Sequence, residues 1–74
     1  MNIFKKIAKY RRLIKMIEFK KIEISIAKIN IQAYKYIDPM GVDHPDVLND
    51  LYTKQYVLML QLKRLENLLD ELNF

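Results

Sequence analysis

The chain has 74 residues, 51% of them hydrophobic, with no cysteine and a net charge of +4. That length allows one domain, and the lack of cysteine removes disulfides and thiolate metal sites as staples. One glycine and two prolines beside so much apolar content exclude a disordered chain. So short a chain has an unfavourable ratio of surface to volume, so oligomerisation is the stabilising device to expect.

The longest aliphatic run is four residues, 57–60. A membrane span needs about 20 apolar residues and a secretory leader a run of about 7–15, so the expected compartment is the cytoplasm. Richness in Ile, Lys, Asn and Tyr fits an AT-rich coding sequence of the kind found in low-GC bacteria and their phages or plasmids. The charge is split: residues 1–37 hold ten Lys or Arg against two Glu, +8, and residues 38–74 hold three against seven acids, −4. Halves of opposite sign attract when folded side by side and leave the positive excess on the first half.

In the first stretch Ile3, Ile7, Tyr10, Ile14 and Ile17 recur at steps of four and three, with cations on the other sides. This predicts a basic amphipathic helix. Lys5, Lys6, Lys9, Arg11, Arg12 and Lys15 place six cations in eleven residues with no acid among them. That is denser than solubility requires, and it suits an acidic protein, a nucleic acid or an anionic membrane surface.

Residues 20–37 carry two patterns. Ile22, Ile24 and Ile26 alternate with polar residues, as do Ile29 and Ile31, which is a strand signal. Yet Ile22, Ile26, Ile29, Ala33 and Tyr36 step by four and three without a break. The alternation slips at Ala27 and Lys28, where no turn residue stands. The expectation is therefore helix. A second apolar row, Ile17, Ile24 and Ile31, lies roughly opposite the first. One row can pack on the second helix, and the other calls for a further partner, most simply a second copy of the chain.

Punctuation is confined to residues 38–45. Pro39 disfavours helical geometry at Asp38, Gly41 is free to take positive φ, and Pro45 suits the first turn of a new helix capped by Asp43 or His44. Asp46 and Asp50 lie near that helix's positive end. So short a connection makes the helices antiparallel neighbours.

The second helix is read from a heptad seam: Leu48, Leu51, Gln55, Leu58, Leu62, Leu65, Leu69 and Leu72. Gln55 is the polar, register-setting place in it. Tyr56 and Leu60, four apart, lie away from this stripe and suggest another buried face.

The prediction is an all-α single domain over 1–74, an antiparallel two-helix hairpin dimerising into a four-helix bundle. Its first helix spans about 2–37, its loop 38–44, and its second helix about 45–73. Ile17, Ile22, Ile24, Ile26, Ile29, Ile31, Tyr56, Leu60 and the heptad seam form its helix–helix or dimer interfaces.

Asp43, His44, Asp46 and Asp50 are the one constellation with metal-ligand chemistry, and helix capping and dipole compensation account for all four. No glycine-rich phosphate loop is present. Gly41, Val42, Asp43, His44, Pro45, Asp46, Val47 and Leu48 together resemble the connection in the small helical-hairpin phosphatases that act on sporulation response regulators. That resemblance implies a two-helix hairpin of similar length. The family's Ser-Gln-x-Leu-Asp run should follow, but Leu51, Tyr52, Thr53, Lys54 and Gln55 lack its serine and aspartate, so the activity does not carry over. The function expected is non-enzymatic and without cofactor: a protein-binding regulator or inhibitor, homodimeric, whose basic face meets an acidic partner. The alternatives are a nucleic-acid-binding dimer, attachment to a membrane surface, and the phosphatase-like hairpin.

Overall fold

The computed structural model describes residues 2–72, which form α1 (Ile3–Ile37) and α2 (Pro45–Glu71) joined by a loop over 38–44. The expected end of the second helix at 73 lies outside the described residues. Both patterns over residues 20–37 resolve as helix, and no strand occurs among the described residues. No helix there is long and apolar enough to cross a membrane.

Asn2 starts α1: its side-chain oxygen accepts the Phe4 N–H at 2.9 Å, satisfying one of the donors a helix start leaves open. Within the helix, Ser25 donates its hydroxyl to the Lys21 carbonyl at 3.0 Å, so the chain's one serine is held by its own helix.

The two helices meet along one stripe each. On α1 the buried residues are Leu13, Ile17, Ile24, Ala27 and Ile31, with Lys20 and Tyr34 half-buried between and beyond them. On α2, Leu58 is buried and Leu48, Leu51, Gln55, Leu62, Leu65, Leu69 and Leu72 are half-buried. Every other described residue of α2 is exposed, so the eight seam places are its contact stripe. Ile24, Ala27 and Leu58 form the packed centre, with Leu62 against it. The Lys20 ammonium donates to the Gln61 side-chain oxygen at 3.0 Å and pairs with Glu23 at 3.1 Å. Further along, the Lys35 ammonium lies 5.2 Å from the centre of the Tyr52 ring.

The row expected at the start of α1 is displaced. Leu13, not Ile14, is buried; Ile7 and Ile14 are half-buried, and Ile3 and Tyr10 are exposed. The reason is heptad phase. Counting back from Ile31, Ile24 and Ile17, the contact stripe passes through Leu13, and Ile7 and Ile14 stand one step round the helix. Tyr10 and Ile3 keep the phase of Ile17 but lie at or beyond the level where α2 ends, which leaves them exposed.

The loop is built on Asp38, 6% exposed and the buried charged residue among those described. Its Oδ1 accepts the Val42 N–H at 3.2 Å, and its Oδ2 accepts the N–H groups of Asp43 and His44 at 3.2 and 3.3 Å. The Asp38 carbonyl accepts the Gly41 N–H at 3.1 Å. His44 takes the N-cap place of α2, but its side chain makes no capping bond. Asp38 thus organises the loop before α2 from the end of α1, and the side-chain cap expected from Asp43 or His44 is not made. Gly41 has φ +64°, and a Cβ there would stand 3.0 Å from Leu48 Cδ2, so only glycine fits the turn without displacing the first seam leucine.

Tyr34 ties α1 to the loop: its hydroxyl lies 3.1 Å from the His44 carbonyl oxygen, to which it donates, and 3.5 Å from Asp38 Oδ2. Loss of water around the hydroxyl and then the nearby Asp38 charge, with smaller contributions from Asp46 and Asp43, raise its pKa above that of free tyrosine. The folded state therefore holds this proton more tightly than the unfolded chain does. That contribution is whole below a pH of about 10 and is lost as pH climbs through the raised value.

Three outcomes follow for the isolated chain. Leu58→Asp should abolish helicity in far-ultraviolet circular dichroism. A carboxylate without a partner at a site only 7% exposed costs several kcal/mol, a large share of what holds so small a domain together. Asp38→Ala should lower stability by about 1–3 kcal/mol in urea unfolding, since three loop N–H groups lose their acceptor, and Asp38→Asn by less. Above pH 10 the wild type should lose stability more steeply than Tyr34→Phe.

Candidate docking surfaces

The hairpin is a rod of 56 × 15 × 12 Å with a radius of gyration of 17.0 Å, against roughly 11 Å for a compact domain of this length. It exposes 6148 Å², where size scaling gives about 4,800 Å² for a compact protein of its mass. Much of the surplus is apolar and gathered on two faces.

The larger face is on α1. With Ile17, Ile24 and Ile31 at heptad position a, the buried contact runs through a and d. Phe19, Ile26 and Ala33 then fall at c, and Ile22, Ile29 and Tyr36 at f. At 100° per residue the two stripes are about 160° apart round the helix. Phe19, Ile22, Ile26, Ile29 and Tyr36 are between 52% and 89% exposed. Thus the Ile17–Ile24–Ile31 row packs on α2 and the Ile22–Ile26–Ile29 row faces outward. Phe19 extends that outward row by one step, and the spacing to Ile22 and Ile26 was the signal for it.

Charge on α1 follows the same geometry. Over residues 19–37 the cations are Lys20, Lys21, Lys28 and Lys35, all at d or e beside the contact with α2. The outer stripe of that segment carries no charge, and its flanks at b and g hold Glu18, Glu23, Ser25, Asn30 and Gln32. Toward the N-terminus the same outer positions turn basic: Lys5 and Arg12 continue c, Lys15 continues f, and Arg11 and Lys9 flank them. These five are exposed and form no ion pair among the described residues, while Lys6 is half-buried toward the seam and engaged. The positive end of the α1 dipole adds to their field. On α2, Asp70 and Glu71 come level with this segment and are exposed.

The smaller face is on α2, where exposed Tyr56, Val57 and Leu60 stand together opposite the leucine seam. Between the two helices, Met16, Phe19 and Leu65 line an open apolar groove edged by Lys15, Lys20 and Glu23.

Asp43, His44, Asp46 and Asp50 are all exposed, and no three His, Asp or Glu side chains converge on a metal-sized space among the described residues. The loop residues behind the phosphatase resemblance have mechanical roles here: Gly41 makes the turn, Pro45 opens α2 and Leu48 starts its seam. Set against known protein families, curated proteins and solved structures, the chain matches none.

Proposed function

We propose that the chain is a non-enzymatic protein-binding module, a small regulator or inhibitor that works as a homodimer of four helices and docks on an acidic surface of another protein. The observation that carries this reading is the segregation on α1: five exposed cations at one end, then an uncharged apolar stripe. A helix that only shields a core keeps polar residues on its solvent side. The Tyr56, Val57 and Leu60 patch supplies a second apolar contact of the kind that anchors protein interfaces, tyrosine being prominent among the residues that dominate binding.

The cations also support nucleic-acid binding, because contacts to phosphates need only such an unpaired cluster. The two readings part in one experiment. Immobilised chain and its Lys9→Glu/Arg12→Glu variant are exposed to host lysate, and the bound material is resolved into protein and nucleic acid. The expected result is a discrete protein held by the wild type and lost by the variant, whose circular dichroism melt stays within about 0.5 kcal/mol of wild type because both residues are exposed. Recovery of nucleic acid and no protein, released steeply by salt, would overturn the protein-binding reading.

A further inference from the structure

We infer that the outer stripe of α1 is a self-association seam, on which a second copy of this chain docks antiparallel. The four helices then stand in a row, with the two α1 helices in the middle and the two α2 helices outermost. The inference deepens the dimer in the reading above and rests on it.

Heptad spacing comes first. Phe19, Ile22, Ile26, Ile29, Ala33 and Tyr36 step by three and four over five intervals, as a two-helix seam requires. Area comes second. The exposed side chains of the stripe amount to on the order of 600 Å² per copy, and the neighbouring Met16 and Ile37 bring it near the roughly 800 Å² per partner of a standard interface. The surplus of the rod over a compact protein of its mass is of the same order.

Charge decides the direction. In a parallel pair, the positions flanking the stripe bring Glu18 of each copy beside the partner's Glu23, twice by symmetry, and lay the two basic segments side by side. Lys20 offsets Glu23 in part, but nothing in the stripe offsets the cations. In the antiparallel pair Phe19 stands opposite the partner's Tyr36, Ile22 opposite the partner's Ala33 and Ile26 opposite the partner's Ile29. Glu23 then meets the partner's Asn30 and Ser25 the partner's Gln32, while Glu18 comes level with the partner's Ile37. The basic segments move to opposite ends, where Arg12 and Lys15 come level with the partner's loop and its exposed Asp43. Opposed helix dipoles favour the same direction.

Position decides the row. A square bundle needs a second apolar face about a quarter-turn from the first. On α1 those sides carry Lys21, Lys28 and Lys35, or Glu23 and Asn30. The apolar stripe is instead opposite the hairpin contact. This arrangement leaves Tyr56, Val57 and Leu60 uncovered for a different partner.

The full chain tests this directly. Light scattering should give twice the 8.9 kDa chain mass, and Ile29→Glu should return the mass to one chain with its helicity kept, since Ile29 is 65% exposed in the hairpin. With no native cysteine, Phe19→Cys and Tyr36→Cys provide unique thiols for a short thiol-specific cross-linker. Phe19→Cys alone should give little covalent dimer, and its equal mixture with Tyr36→Cys should give it readily. A wild type that stays at one chain mass, an Ile29→Glu variant that stays dimeric, or Phe19→Cys cross-linking to itself as well as to Tyr36→Cys overturns the seam. Should Ile29→Glu fail to fold, the cross-linking pair decides alone. A monomer that still captures a protein through Lys9 and Arg12 refutes this seam and leaves the docking reading standing. A dimer that captures none does the reverse.

Discussion

The structure depends on one line of apolar contact, the leucines of α2 lying against Leu13, Ile17, Ile24, Ala27 and Ile31 of α1. Ten of the residues in α1 are isoleucine, a β-branched type that loses side-chain freedom in a helix. An isolated helix gains little from such a sequence, so most of the stability of α1 has to come from packing. The alternating isoleucines at 22, 24 and 26 would suit a strand equally well. What turns them helical is the length of the partner stripe: only a helix presents a residue every three or four places to a seam that runs the length of α2.

The same contact explains which of the two apolar rows of α1 faces inward. Lys20 beside Gln61, and Ile24 and Ala27 around Leu58, set the level of the two helices. Leu65, Leu69 and Leu72 therefore come level with Ile17, Leu13 and Tyr10. The row through Ile17 and Ile24 still has apolar residues there, whereas the row through Ile22 and Ile26 runs out into Lys15 and Arg12. Packing that row inward would set cations against three leucines and leave both unsatisfied. Ala27 contributes on the other side of the balance, its small side chain leaving room for Leu58 at the centre.

This separates what could be read in the residues from what could not. The leucine seam was legible because all eight places share one phase on one helix. The inward row of α1 was not, because periodicity on a single helix finds stripes without saying which one the neighbour covers. Leu13 escaped for a related reason: it stands beside Ile14, and only the phase fixed further along picks between them. Pro39, Gly41 and Pro45 announced the loop, yet its organising residue was Asp38. Capping logic searches within three residues of a helix start, and this carboxylate reaches four to six residues forward. Of the surface features, the basic segment needed nothing but composition. The uncharged stripe beyond it needed the fold, since its meaning depends on which face of α1 is already occupied.

The placement of charge relative to the contact is the feature that ties fold to purpose. A solvated helix pair ordinarily sets its lysines outward and its apolar residues inward. Over residues 19–37, α1 does the first only in part: its lysines stand at the edge of the contact with α2, where the Lys20 ammonium reaches Glu23 and Gln61 and the Lys35 ammonium the Tyr52 ring. The positions farthest from α2, where water would be met most fully, hold Ile22, Ile29 and Tyr36. Hydration alone gives no reason for that inversion, since a lysine at Ile22 or Ile29 would lie exposed without disturbing the hairpin. A second surface lying against this face does give a reason, and it also accounts for the sharp change to cations at Lys15, where such a surface would end.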